Sequence, residues 1–169
     1  MLTKNKIKII IIFLLSFLIS KFNLYADEFN IVAKEILIDK DNETLIGKGS
    51  VQAEDLDGRV IYADKIIYEK PKEFLSAEGN VKIADADGNI LKTDMATYDK
   101  MKNIIFTYNN TELLLKEGYK IRAKNISYNT MKKILSSSEN TILNDDDGNI
   151  VETSMFQYHI NDNLFSSIG

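Results

Sequence analysis

The sequence predicts an all-β domain, a meander of antiparallel strands built from 30-residue repeats and creased across the middle of its strands. Three observations predict it. The chain repeats itself every thirty residues without a gap, the apolar spacing inside each repeat is two, and each repeat carries two turn signals. A period of two belongs to strands, and nothing in the chain shows the 3.6-residue period of an amphipathic helix.

The first 26 residues stand apart from the repeats. Lys4, Lys6 and Lys8 precede an uncharged apolar run, Ile9 to Ser20, and "LYA" ends at Ala26. That is the plan of a secretory leader with cleavage expected after Ala26. The run is shorter than the roughly 20 residues that span a bilayer, although Phe22, Leu24 and Tyr25 extend it toward the alternative of an uncleaved inner-membrane anchor. Removing the leader takes away four lysines and no acids, so the net charge falls from −4 to −8. A domain this acidic has no electrostatic footprint for nucleic acid. The chain has no cysteine, which excludes disulfides, thiolate metal sites, a cysteine nucleophile and a lipoprotein anchor.

The repeats follow. Lines of thirty starting at Asn30, Val60, Ile90, Lys120 and Ile150 place Tyr68, Tyr98, Tyr128 and Tyr158 in one column, with Ile38 in the first line. Gly58, Gly88, Gly118 and Gly148 fill another, each preceded by an acid. Ile31, Ile61, Leu91, Ile121 and Val151 form an aliphatic column, and Leu45, Leu75, Ile105, Leu135 and Phe165 a second. Ala33, Ala63, Thr93, Ala123 and Thr153 are all small. The second repeat reads as a strand "VIYADKIIYE", a turn "KPKE", a strand "FLSAEGNVKIA" and a turn "DADGN". Asp-Gly turns of this kind connect hairpins, because Gly accepts a positive φ. The alternative reading, a calcium loop, fails its spacing at "NVKIADADGN": counting back from Gly88 puts Ile83 at the first ligand position and Asp94 at the last. A calcium site at "NDDDGN" (Asn144 to Asn149) remains the weaker alternative.

Apolar parity shifts by one residue inside the first strand of the repeat, from Ile61 and Ala63 to Ile66 and Tyr68; in the second, the run Leu75, Ala77 resumes at Val81, Ile83 after Gly79. A parity shift marks a bulge and a strand glycine marks a bend. Pairing the strands around Pro71–Lys72 sets Gly79 opposite Asp64, so neighbouring strands bend at one level. Gly49 repeats the feature; Asn109 and Glu139 stand there in later repeats and make the bend less secure. The meander then folds into two facing halves joined by a spine, with unpaired edges at Phe29 to Ile38 and Ile150 to Tyr158. A parallel β-solenoid with a tyrosine ladder is the competing fold.

The inward positions are Ile31, Ile36, Ile38, Val51, Ile61, Ile66, Tyr68, Leu75, Val81, Ile83, Leu91, Ala96, Tyr98, Ile105, Leu113, Ile121, Ile126 and Tyr128. They line either an open groove or a closed sandwich core. No catalytic constellation accompanies them. His159, the one histidine, falls in a column alternating with the inward one, and Ser136 to Ser138 lie mid-strand without a base. No phosphate loop, metal-ligand cluster or cofactor motif appears.

The stretch "YADKIIYEKPKEFLSAEGNVKIADADGNILKTDMATYD" (Tyr62 to Asp99) resembles the OstA-like domain of the lipopolysaccharide-transport proteins, whose pattern has an A-D-x-x-x-Y strand, a short turn and a G-N-V strand ending at a Gly turn. The likeness extends more loosely over Phe29 to Ile168. It implies a β-jelly-roll or "taco" domain in the periplasm, residues 27–169, that shelters lipid A acyl chains and joins edge to edge with other such domains. The partners implied are lipopolysaccharide, other OstA-like domains and the outer-membrane assembly machinery. Family members include a free bridge protein, an inner-membrane-anchored protein and the amino-terminal domain of the outer-membrane assembly barrel. The last setting fits a fifth repeat that stops at Gly169, in the column of Gly49 and Gly79, and implies attachment to the outer membrane through a barrel beyond it. Beyond the family pattern, Lys70, Lys72, Lys100, Lys102, Lys132 and Lys133 recur in the short turns, opposite acids in the Gly turns. They are expected to form a basic lip for lipid phosphates. The alternative function is a structural β-repeat with a closed core that binds a cell-surface protein.

Overall fold

A computed structural model describes residues 29–168; the leader read at Met1 to Ala26 lies outside the described residues. The alternating sequence folds into fifteen strands: β1 (Phe29–Val32), β2 (Glu35–Asp39), β3 (Thr44–Asp55), β4 (Val60–Glu69), β5 (Phe74–Ala84), β6 (Ile90–Asp99), β7 (Ile104–Tyr108), β8 (Thr111–Leu114), β9 (Lys120–Ala123), β10 (Ser127–Asn129), β11 (Ile134–Ser137), β12 (Thr141–Asn144), β13 (Ile150–Thr153), β14 (Met155–His159) and β15 (Leu164–Ile168). They belong to one sheet, and every pairing is antiparallel. That excludes the solenoid and establishes the all-β creased meander.

The crease divides the sheet into two halves. Strands β3 to β6 run unbroken through it. The others are split there, so that β2, β7, β10, β11, β14 and β15 lie in the half that ends in the short turns, and β1, β8, β9, β12 and β13 in the half that ends in the Gly turns. Each crease is a bulge. Gly49 and Ser50 stand against Asp64 alone, and Gly79 and Asn80 against Asp94 alone. Both members of each pair are left-handed, with φ of 75° and 52°, and of 75° and 49°. In the third repeat Asn109 and Asn110 adopt the same conformation, with φ of 59° and 28°, and the Asn109 N–H donates to Asn125 Oδ1 at 3.0 Å. The bend at Asn109 is therefore real, made by the residue that tolerates this region best after glycine.

A split strand frees backbone groups that burial would leave costly. Threonines satisfy them. Thr107 Oγ1 accepts from the Ile126 N–H at 2.8 Å, Thr111 Oγ1 lies 2.6 Å from Thr107 Oγ1, and Thr93 Oγ1 donates to the Asn109 carbonyl at 3.0 Å. Thr93, from the small column of the sequence, thus joins Thr107 and Thr111 in lining the spine.

Both turn families repeat. In the Gly turns the Gly58 N–H donates to the Asp55 carbonyl and the Asp55 N–H to the Arg59 carbonyl, and Gly88, Gly118 and Gly148 follow suit. That is a type I turn closed by a left-handed glycine. In three of the four the leading aspartate, Asp55, Asp85 or Asp145, accepts the N–H four residues on. The short turns form a ladder of their own: Lys70 N–H donates to the Glu43 carbonyl, Lys100 to Glu73, Thr130 to Asn103 and Ile160 to Lys133. The accepting residue is left-handed every time, although none is glycine.

The edges differ from the sequence reading at the carboxyl-terminal side. Met155–His159 is not an edge, because β14 pairs with β15; the edges there are β13 in one half and β15 in the other. The repeat is simply one half-strand longer in the short-turn half.

Two outcomes follow for stability. Gly79→Ala should cost about 2 kcal/mol, since φ is +75° and a Cβ would sit 2.5 Å from the Asp64 carboxylate; a urea melt showing no loss would contradict the crease as described. Glu73→Gly should instead gain about 0.5–1 kcal/mol by relieving a left-handed glutamate at φ 47°, read as a rise in the melting midpoint.

Candidate functional site: an apolar groove latched at its mouth

Cross-strand partners point to the same side of a sheet, so register defines the inner face. In the short-turn half Ile38, Leu45, Tyr68, Leu75, Tyr98, Ile105, Tyr128, Leu135, Tyr158 and Phe165 stand opposite one another in an unbroken row. In the Gly-turn half the row is Ile31, Ala53, Ile61, Ile83, Leu91, Leu113, Ile121, Leu143 and Val151. The rows face each other across the space between the halves.

Of the eighteen inward positions read from the sequence, fifteen are buried: Val51, Ile61, Ile66, Tyr68, Leu75, Val81, Ile83, Leu91, Ala96, Tyr98, Ile105, Leu113, Ile121, Ile126 and Tyr128. Ile31 is half-buried against them. Ile36 and Ile38 are 43% and 66% exposed, yet their partners Gly47 and Leu45 place them on the inner face. They are exposed because, among the described residues, β2 is an edge strand paired with β3 alone. At the other edge Val151 is exposed too, and Phe165 is half-buried. The apolar surface therefore opens at both ends of the sheet.

Between the ends the space is filled. The void bordered by Ile83, Leu91 and Leu113 on one side and Ile105, Tyr128 and Leu135 on the other measures about 30 Å³, room for a water or two and no more. What shuts the mouth is a second column of the repeat, at Phe29, Arg59, Asn89 and Tyr119, meeting the tyrosine column. The Phe29 ring lies 5.0 Å from Tyr68 and 6.1 Å from Tyr98, centroid to centroid, and Tyr119 lies 6.5 Å from Tyr158. The Arg59 guanidinium stacks 5.2 Å over the Tyr98 ring and forms a buried ion pair with Asp55. Burial holds the Tyr128 hydroxyl above its ordinary pKa, against the opposing pull of Lys133, which hydrogen-bonds it. These contacts are all between side chains. Among the described residues, no backbone hydrogen bond crosses the mouth.

The turn tips face each other over this latch. Asp57, Arg59, Asp85, Ala86 and Asp87 on one side and Thr130 and Lys133 on the other enclose a cavity of about 250 Å³. Acidic and basic turns do share a mouth, but the six lysines are not equivalent. Lys72 pairs with Glu69 and Lys102 with Asp99 inside their own turns, which holds the Asp99 carboxyl below its usual range. Lys133 borders the cavity. Lys70, Lys100 and Lys132 are not among the residues enclosing it.

Ser136 and His159 alternate with the inner row and lie on the far side, whereas Ser137, in register with the core residue Phe156, is buried. Ser136, Ser137 and Ser138 border a shallow outer concavity of about 500 Å³ with Phe106, Met155 and Gln157. His159 Nε2 contacts Gln157 Oε1 at 3.3 Å rather than a serine. Of the carboxylates offered as calcium ligands at Asn144–Asn149, Asp145 is occupied within the turn, taking both the backbone and the side-chain amide of Asn149.

Arg59 escaped the sequence reading because its column carries Phe, Arg, Asn, Tyr and Asn and so shows no shared chemistry. A signal was present nonetheless: the chain has 19 lysines and two arginines, and this arginine falls four residues after the aspartate that opens its turn.

No family model matches the chain, and no curated protein does. Among solved structures it is similar to LptH of Pseudomonas aeruginosa, described as the LptA homologous periplasmic component of the conserved lipopolysaccharide transport device. The likeness covers 74% of this chain and 93% of that one, at a TM-score of 0.58 and 11% sequence identity. What the two share is the fold, an open all-β sheet creased along its length.

Proposed function

We propose that this chain is a periplasmic, non-catalytic lipopolysaccharide-binding module that shelters acyl chains between its two half-sheets and passes the lipid toward the outer membrane. The observation that carries the reading is the pair of facing apolar rows, continuous from Ile38 to Phe165 and from Ile31 to Val151 and exposed at both ends. The likeness of fold to a periplasmic transport component supports it. Sheltering a 12-carbon chain is worth on the order of 10 kcal/mol at about 0.8 kcal/mol per CH₂, enough to displace a latch made of side chains alone. Opening turns the halves about the crease, where the strands already leave regular pairing. The exposed edges, β2 and β1 at one end and β13 and β15 at the other, are templates for strand addition. Other domains of this kind docking there would extend both rows, and the outer-membrane assembly machinery would receive the lipid. The short-turn lysines contribute diffuse attraction for lipid phosphates.

The 30 Å³ void favours a second reading, a closed structural repeat that binds a cell-surface protein. Locking the mouth separates the two. The chain has no cysteine, so cysteines at Asp87 and Thr130 can be joined by a reducible crosslinker. A photoreactive residue at Leu91 or Tyr128 should form lipopolysaccharide adducts in the open protein, about tenfold fewer when locked, and again after reduction; Asp99 on the outer face should form none. Absence of adducts in the reduced, folded protein would leave the closed repeat standing.

A further inference from the structure

Arg59 is the least satisfied polar group of the interior. It is 5% exposed, its Nη1 is bound to Asp55, and its Nε is buried without a hydrogen-bond partner. A guanidinium presents five donors in a planar fork, and a buried donor without an acceptor is rare enough to require a reason. Its position supplies one. Arg59 borders both the apolar void between the half-sheets and the polar cavity at the mouth. In the repeat its equivalents are Phe29, Asn89, Tyr119 and Asn149, none of them cationic, so the feature occurs once among the repeats.

We propose that Arg59 is the anion anchor of the groove: the Nε edge of its guanidinium takes the phosphate monoester of a phosphorylated glycolipid whose acyl chains run inward. The inference rests on the lipid-sheltering reading and specifies its head-group contact. An unfilled N–H selects an acceptor, and the planar edge suits a phosphate. Asp55 does not compete for that edge, because its carboxylate is engaged by Nη1 and by the Arg59 and Asp57 backbone N–H groups. Across the cavity Lys133 offers a second charge, beside Thr130, whose hydroxyl donates to the Asn103 carbonyl. The carboxylates around it suit the sugar instead. Asp85 is partly engaged by Asn89, while Asp57 and Asp87 sit on exposed turn tips and accept hydroxyl hydrogens. A phosphorylated sugar ring uses every polar group of the mouth; an unphosphorylated lipid leaves Nε unfilled.

The test follows the Arg59 Nε–H resonance of the full chain by heteronuclear NMR while glucosamine 1-phosphate, N-acetylglucosamine or inorganic phosphate is added. In parallel, affinity is measured for a bisphosphorylated diglucosamine lipid and its dephosphorylated counterpart in mixed micelles. The variants are Arg59→Lys and the double variant D55N/R59Q, which removes the ion pair without leaving a lone buried carboxylate; thermal melts confirm their folding. The sugar phosphate should shift Nε–H and the neutral sugar should not. The wild type should prefer the phosphorylated lipid by about tenfold, Arg59→Lys should lose most of that preference, and the double variant all of it. A silent Nε–H with the preference intact in the double variant overturns the anchor and leaves lipid sheltering untouched. A shifted Nε–H with no lipid bound in any form keeps the anion site and removes the carrier reading. An equal response to inorganic phosphate, with lipid affinity unchanged by the variants, overturns the lipid assignment in favour of free phosphate.

Discussion

The structure depends on one backbone device, two consecutive left-handed residues set against a single partner at mid-strand. Inserting one residue into a strand turns its side chains over. In β5, which carries the inserted pair Gly79–Asn80, Leu75, Ala77, Val81 and Ile83 therefore keep one parity and are all buried. In β4, which sets the single Asp64 against Gly49–Ser50, the buried positions shift from Ile61 and Ala63 to Ile66 and Tyr68. The facing rows, the spine of threonines and the mouth opposite the spine are all consequences of placing that bulge at the same level in successive repeats.

Much of this was legible because it repeats. The Tyr column, the Gly turns and the parity shift between Ala63 and Ile66 each recur at thirty residues, and a feature seen several times stands out from chance. The crease at Asn109 was harder to read, since Asn109–Asn110 performs the same turn as Gly79–Asn80 with different residues. The left-handed positions of the short turns were not legible at all. Glu43, Glu73, Asn103, Lys133 and Asn163 share a backbone conformation that their side chains do not announce, because there the ladder between turns, not local preference, imposes it. The terminal edge was misplaced for a related reason: strand length in the last repeat is decided by pairing with β15, and not by the pattern of β14 alone. Arg59 shows the opposite limit, a residue whose role comes from being unlike its column.

The interior joins two demands that pull against each other. A domain of this size needs a packed core to be stable, and a lipid carrier needs an empty one. The latch reconciles them by closing the mouth with side chains only, Phe29 and Arg59 against the tyrosines and Tyr119 against Tyr158, while the backbone ladder remains on the spine side. Separating the halves then costs packing and one stacked cation but leaves the hydrogen bonds of the sheet in place. Under the proposed function, packing is what acyl chains would restore.

The ladder between short turns has a separate consequence for how such a chain comes into being. Each rung joins residues 27 apart, Lys70 to Glu43 through Ile160 to Lys133, and each hairpin pairs with its immediate predecessor in the chain. A newly synthesised repeat finds every backbone partner in the one made just before it, so the sheet can zip from its amino-terminal end as it emerges, without waiting for distant segments. By the same rule, duplicating or deleting thirty residues leaves every junction locally unchanged. The length of the sheet is thus a quantity that evolution can adjust in whole steps, one repeat at a time, while the backbone ladder keeps its pattern.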